Sequence, residues 1–348
     1  MNLLTQLMTS FNLLMGTVIT ASSFHWLMAW AGLELNMLSI LGIIMKSKHP
    51  RSTEASIKYF LTQVIASTLM LFSSTVNAIQ TGQWDISQMT DKYACTTLLL
   101  AMMMKIGAAP TYFWLPEVMQ GTSTITALVI ASWQKIAPIT ILFMTHNHLP
   151  PKIMMAIGIM STAVGGWGSI NQTQLRKLMA YSSITNLGWT MVIFSTSPHA
   201  AVLNIIIYLV LLLPTFTLIK MTSTKTLQEL TTTWTSNPMA GILLTLVLLS
   251  LSGLPPLTGF TPKLLILNEL ISHDHIMTAA VMVTLSLINL FFYIRVTYIM
   301  SMTTPPITMS TPMKWRLISP QQKLTSLLIP PSLTALPLLP IIAAWLTG

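Results

Sequence analysis

"LLLAMMMKIGAAPTYFWLP", residues 98–116, sets one lysine inside an unbroken apolar run. Uncharged residues fill 98–104 ahead of Lys105, and Gly107, two alanines and Pro110 follow it. A charge in such a run needs a reason, because a lysine at the centre of an apolar span costs about 2.5–3.5 kcal/mol even on the gentler insertion scale. The glycine and proline behind it mark a place where the helix breaks.

The rest of the chain decides what kind of run this is. Of 348 residues, 53% are hydrophobic and only 7% charged, and the mean hydropathy is +0.69. A soluble domain carries about a quarter charged residues, so this chain cannot cover its own surface in water. It reads as an integral membrane protein, and the net charge of +9 reads as membrane orientation rather than as affinity for nucleic acid. The single cysteine, Cys95, excludes a disulfide framework, an iron–sulfur cluster held by this chain alone and a cysteine zinc site. No basic n-region or cleavage site precedes the first apolar segment, so no cleaved signal is expected.

A bilayer-crossing helix needs about 20 apolar residues. Apolar runs between polar or Pro/Gly punctuation predict eleven spans, at 2–21, 24–45, 56–80, 94–112, 124–145, 152–170, 175–195, 199–220, 237–271, 276–300 and 323–346. The ninth is too long for one straight crossing and contains Gly253, Pro255, Pro256, Gly259 and Pro262. Loops after the even-numbered spans carry Lys46, Lys48, Arg51, Arg176, Lys177, Lys220, Lys225, Lys314, Arg316 and Lys323. Loops on the other side carry Lys92 and Lys152, with Asp85, Asp91 and Asp274. This bias places the N-terminus and the even loops on the matrix (or cytoplasmic) side and the C-terminus opposite.

Lys58, Lys220 and Arg295 lie near matrix-side span ends, where a long side chain can snorkel. Glu34, Lys105, Lys135 and Lys263 lie deeper, the first three roughly 15 Å into their spans at 1.5 Å per residue. Ion pairs serving only as glue return about a kcal/mol, less than the insertion cost, so a water-filled pathway is the better reading. A buried lysine can gain and lose a proton near neutrality, and a nearby glutamate tunes it.

Helix breaks support that reading. They are Gly107 and Pro110, with Pro116 beyond, around Lys105, and Pro255, Pro256, Gly259 and Pro262 ahead of Lys263. Non-helical backbone at membrane depth is tolerated where it lines a cavity or is buried in protein. The broken spans are the fourth and ninth, hence the fourth of each set of five. An odd set makes two like units inverted, a pattern that marks transport sites. The expected architecture is all-α and polytopic: a single membrane domain, 1–348, with a first five-helix repeat at 1–145, a second at 152–300 and a C-terminal helix at 323–346. Within the membrane a lysine recurs at each break, and span ten has no counterpart of Lys135. His146/His148 and His273/His275 lack a third ligand, so no metal site is expected. The glycines of "VGGWGSINQ" (164–172) suit close helix packing better than phosphate binding.

The segments "WAGLELNMLSI" (30–40), "KIGAAPTYFWLPEV" (105–118), "ASWQKIAP" (131–138) and "SLSGLPPLTGFTPK" (250–263) resemble the hallmarks of the antiporter-like subunits of respiratory complex I. The resemblance runs the whole length, and the eleven spans look like the animal type, which lacks three helices of its bacterial relatives. The methionine and threonine bias resembles that of a chain encoded in a mitochondrial genome. The resemblance implies that Glu34 and Lys105 form the family's glutamate–lysine pair, that Lys135 is its central lysine and that Lys263 is the lysine of the second broken helix. Protons would then pass between matrix-side water and these lysines, driven by quinone reduction elsewhere in the complex. Tyr112 stands where the family commonly has histidine, and a phenol rarely ionises. The resemblance also implies no cofactor on this chain, with NADH, FMN, iron–sulfur clusters and ubiquinone on other subunits. Partners would be neighbouring membrane-arm subunits and lipids such as cardiolipin, in the mitochondrial inner membrane. A stand-alone cation/proton antiporter and a non-pumping helical scaffold are the alternatives.

Overall fold

The computed structural model describes residues 3–233, 238–302 and 322–334. Among them every regular element is helical, and extended pairing is confined to two isolated bridges. The chain divides into two compact units, Met1–Ser161 and Thr162–Gly348, with the boundary inside the helix Pro151–Ser169.

The first unit holds α1 (Leu3–Ser22), α2 (Trp26–Ile44), α3 (Pro50–Thr81), α4 (Lys92–Ile106), α5 (Trp114–Gly121), α6 (Thr124–Ala131), α7 (Trp133–Thr145) and the start of α8 (Pro151–Ser169). α3 is the longest, at 32 residues without interruption. His49 and Ser52 cap its start reciprocally, and Pro50 occupies the first turn, where a missing N–H leaves nothing unpaired. α1 and α2 cross closely because Gly16 has no side chain: a Cβ there would lie 2.4 Å from Asn36 Oδ1 and 2.8 Å from the Gly32 carbonyl oxygen. α3 packs against α2, α4 and α5, while α7 rests on α1, α2 and α4. A bridge between His25 and Asp85 ties the α1–α2 loop to the α3–α4 loop. Trp26 N–H donates to the Trp84 carbonyl (3.2 Å) and Ile86 N–H to the Phe24 carbonyl (2.9 Å).

The second unit holds the rest of α8, then α9 (Leu175–Phe194), α10 (Pro198–Thr222), α11 (Leu227–Thr231), α12 (Pro238–Ser252), α13 (Phe260–Ser272), α14 (Ile276–Met302) and α15 (Gln322–Thr334). α10 packs on α9, α12, α13 and α15. Its own loop bridge joins Gln174 to Thr226. Leu175 N–H donates to the Lys225 carbonyl (3.1 Å) and Leu227 N–H to the Thr173 carbonyl (2.9 Å). Arg295, expected to snorkel, donates instead to the Ile170 carbonyl.

Five described stretches are long and apolar enough to cross a bilayer: Trp26–Ile44, Pro50–Thr81, Thr124–His148, Pro198–Thr222 and Ile276–Met302. The fourth expected span, 94–112, stops as a helix at Ile106, and the ninth is two helices, α12 and α13. The fifth, 124–145, is interrupted at Ser132 (φ −109°, ψ −77°), where a continuous helix was expected. The short helices α5 and α11 fall in stretches read as connections. Of the last span, 335–346 lies outside the described residues, as do Lys314, Arg316 and Gly348.

Candidate functional site

In the first unit, α4 ends on Gly107, whose φ of +82° is a left-handed conformation that a side chain would strain. Gly107 and Ala108 N–H both donate to the Met103 carbonyl (2.9 and 3.0 Å), so the next two carbonyls have no helical partner. Side chains take them. The Trp114 indole N–H donates to the Met104 carbonyl (3.1 Å), and Gln63 Nε2 donates to the carbonyl of Lys105 itself (3.4 Å). Lys105, in the last turn, is 3% exposed. Pro110 and Tyr112 lie in the open segment before α5, with the Tyr112 ring against Phe113 (4.2 Å between centroids).

Glu34 sits on α2, partly buried. Its charge acts through space on Lys105 and on Tyr59, and no ion pair within 4.0 Å joins it to Lys105. The short ion pairs of this unit belong to Lys58, which contacts Glu54 (2.5 Å) and Glu117 (2.6 Å) at the surface. Lys58 is therefore clamped by carboxylates rather than snorkelling unaided.

Lys135 is buried, at 4% exposed, and is the third residue of α7, just past the Ser132 discontinuity. The Ser132 hydroxyl (2.7 Å) and its own N–H (2.9 Å) both donate to the Leu128 carbonyl, where α6 ends. Pro138, one turn on, offers no N–H to the Gln134 carbonyl. Gln134 Nε2 donates to the Tyr59 hydroxyl (2.7 Å).

In the second unit, α12 ends at Ser252, followed by Gly253 with φ +81°. Pro255, Pro256 and Gly259 lie in the segment before α13, so the backbone is unwound over 253–259. Pro262 does not contribute to the break. It is the third residue of α13, where its missing N–H would have had no partner anyway. Lys263, next along, is partly buried. Its Nζ donates to the Ser252 carbonyl (2.6 Å), the orphan at the end of α12, and stands 5.9 Å from the centre of the Trp189 ring. A Cβ on Gly253 would come within 2.8 Å of that Nζ.

The structure thus places Glu34, Lys105 and Lys135 in one unit and Lys263 in the other. Lys105 precedes its break and Lys263 follows its own. Sequence reasoning missed Tyr59, Gln63, Gln134, Trp189 and the Ser132 discontinuity. Tyr59 and Gln63 could have been noticed as polar groups one turn apart in an apolar helix, and Gln134 as the neighbour of Lys135. His146, set aside as a metal ligand, bonds through Nδ1 to the Phe143 carbonyl (2.7 Å).

Residues 23–289 match the family model described as "NADH:quinone oxidoreductase/Mrp antiporter, TM", and 290–343 match "NADH dehydrogenase subunit 2 C-terminus". The chain is 46% identical over 341 residues to NADH-ubiquinone oxidoreductase chain 2 of Lycodon semicarinatus, covering 98% of this chain and 99% of that one. It is 44% identical over 346 residues to the protein of the same name from Gallus gallus, covering 99% and 100%. Among solved structures, its fold resembles a chain of respiratory complex I from Thermus thermophilus (TM-score 0.80, 23% identity, covering 94% of this chain and 78% of that one). It also resembles a chain of the Mrp complex from Dietzia sp. (TM-score 0.77, 17% identity, covering 84% and 59%).

Proposed function

As the chain belongs to the NADH-ubiquinone oxidoreductase chain 2 family of antiporter-like membrane subunits, we propose that it carries a proton-translocation pathway in the membrane arm of respiratory complex I. It is a subunit of that enzyme, in the mitochondrial inner membrane, and acts without a redox centre of its own. One observation carries the pathway: Lys105, Lys135 and Lys263 each lie within four residues of a helix discontinuity, at Gly107, Ser132 and Gly259 respectively. Broken ladders leave polar backbone that is tolerated at membrane depth only in protein or beside a cavity. In the first unit, the Asn36 amide and the indole N–H of Trp30 on α2, and the Gln134 amide oxygen and the indole N–H of Trp133 next to Lys135, are buried with no hydrogen-bond partner among the described residues. Groups of that kind are commonly satisfied by ordered water. Lysine amines set among hydrated polar groups can take up and release protons, and Glu34 supplies the nearby charge that biases Lys105.

Eleven spans arranged as two inverted five-helix repeats fit the same reading, and the internal register supports it. The bridge His25–Asp85 and the bridge Gln174–Thr226 join corresponding loops through the same pair of hydrogen bonds. Gly16 meets Asn36 and the Gly32 carbonyl as Gly165 meets Thr185 and the Tyr181 carbonyl. Both breaks open on a left-handed glycine, and Gly107, Pro110, Trp114, Pro116 and Glu117 share their spacing with Gly253, Pro256, Phe260, Pro262 and Lys263. In this register Lys263 answers to Glu117, and Lys105 to Leu251. The two broken-helix lysines therefore hold different posts.

Sidedness follows from the basic loops. A cysteine introduced at Ser47, beside Lys46, Lys48 and Arg51, should be labelled only from the matrix side, and one near Gly348 only from the intermembrane space. Labelling of both from one side would refute the odd span count.

The rival transporter reading is an antiporter that works alone. Reconstituted by itself in liposomes, the chain should exchange no cation for protons, while the assembled complex couples NADH oxidation to proton movement. Cation-driven proton flux through the isolated chain would favour the rival.

A further inference from the structure

We propose that Tyr59 and Gln63, one turn apart on α3, are positioning residues for proton transfer: they set the two broken helix ends that carry Lys105 and Lys135. The proposal rests on the reading of those lysines as proton carriers. Both lysines stand where the helical ladder gives out, Lys105 at the end of α4 and Lys135 at the start of α7. Such ends fray unless something outside the helix holds them. α3 reaches both, because it runs uninterrupted beside α4, meets α7 through the Gln134–Tyr59 hydrogen bond and is anchored at each end by its own caps.

The attachments are specific. Gln63, 1% exposed, gives its amide N–H to the orphan carbonyl of Lys105 (3.4 Å). Tyr59, 0% exposed, accepts the Gln134 amide N–H (2.7 Å) directly beside Lys135. The Tyr59 ring also stands edge-on to Trp114 (5.8 Å, 61°), whose indole holds the other orphan carbonyl, Met104 (3.1 Å). One turn of α3 thus contacts the Lys105 carbonyl and Trp114 at the end of α4 and Gln134 in the first turn of α7. Glu34 lies near enough for its charge to act on both Tyr59 and Lys105. The Tyr59 hydroxyl accepts from Gln134, and what it contributes is the register between two amines.

Proton transfer is steep in donor–acceptor geometry: a misplacement of about 1 Å can cost on the order of 10²-fold. The test is Tyr59→Phe in the assembled complex, which keeps the ring and its edge contact with Trp114 and removes only the hydroxyl. Turnover with tight coupling should fall by about tenfold, with complex abundance unchanged and the H2O/D2O rate ratio raised, because proton transfer becomes the slow step. Gln134→Leu cuts the same bond from the other side, and the double variant should be no worse than either single one. If one variant fails to assemble, the other still reads the same bond. Assembled variants with normal turnover and a normal isotope ratio overturn the proposal. So does loss of abundance in both, with normal turnover per surviving complex, since that is a packing role. Lys105→Gln in the same membranes separates the two levels: if it pumps normally, the proton-carrier reading itself falls, whereas if it fails while Tyr59→Phe pumps normally, only the positioning role is lost.

Discussion

Arginine in place of Lys105 is expected to give a complex of normal abundance whose proton pumping is impaired by about 10²-fold, the scale of a lost general acid–base group. The two side chains share a charge and differ in what they can do with it. A guanidinium stays protonated in a protein, whereas an ammonium buried among apolar groups can surrender its proton. Lys105 is 3% exposed at the end of α4, and Glu34 acts on it through space rather than in a contact pair. An arginine there keeps the attraction to Glu34 and loses only the exchangeable proton. Were the residue structural glue, arginine would therefore serve and glutamine would not. As a proton carrier, it should fail with either replacement. Proton-to-electron ratio and NADH-driven turnover in sealed vesicles decide between them. Normal values in an assembled Lys105→Arg enzyme would reject the carrier role, and failure to assemble with both replacements would favour the scaffold. Glu34→Gln should cause a milder loss, since it alters the field at Lys105 without touching the amine.

How much of this was legible in the chain depends on whether the cause was local. The break after Lys105 could be read directly, because a glycine and a proline within five residues leave an apolar helix no way to continue. The unwound stretch ahead of Lys263 was legible for the same reason, although Pro262 deceived: proline in the first helical turn starts a helix rather than stopping one. The interruption at Ser132 was not legible. Serine fits a helix interior, and only the backbone at Ser132 (φ −109°, ψ −77°) shows that the helix is interrupted there. Tyr59 and Gln63 stand out as polar groups in an apolar helix, but their partners were illegible, since contacts with Gln134 and Lys105 are encoded by no local pattern. The two broken-helix lysines were read as alike because each lies near a break, although Lys105 precedes Gly107 and Lys263 follows Gly253; setting those glycines in register separates their posts.

That register makes Gly253→Ala a sharper experiment than any substitution of Lys263. Gly107 and Gly253 share a left-handed φ, +82° and +81°, so alanine at either place carries the same backbone strain, about 1–2 kcal/mol. What the new methyl group meets differs. At 107 it would lie 3.3 Å from Trp114 Cζ2 and 3.4 Å from Leu115 Cβ, contacts that a shift of a few tenths of an ångström relieves. At 253 it would lie 2.8 Å from Lys263 Nζ and 2.9 Å from Cδ, inside the contact distance of both. The lysine is long and flexible, so it swings away at little cost to folding, and the penalty falls on the amine's position instead. Its bond to the Ser252 carbonyl (2.6 Å) is lost along with its place above Trp189. Both alanine variants should therefore assemble with a similar modest loss of thermal stability. Gly107→Ala should retain most of its turnover, whereas Gly253→Ala should lose about tenfold in coupled turnover, as expected for a displaced proton carrier. Equal turnover in the two assembled variants would show that the Lys263–Ser252 contact has no part in pumping, and that the second break matters only for packing.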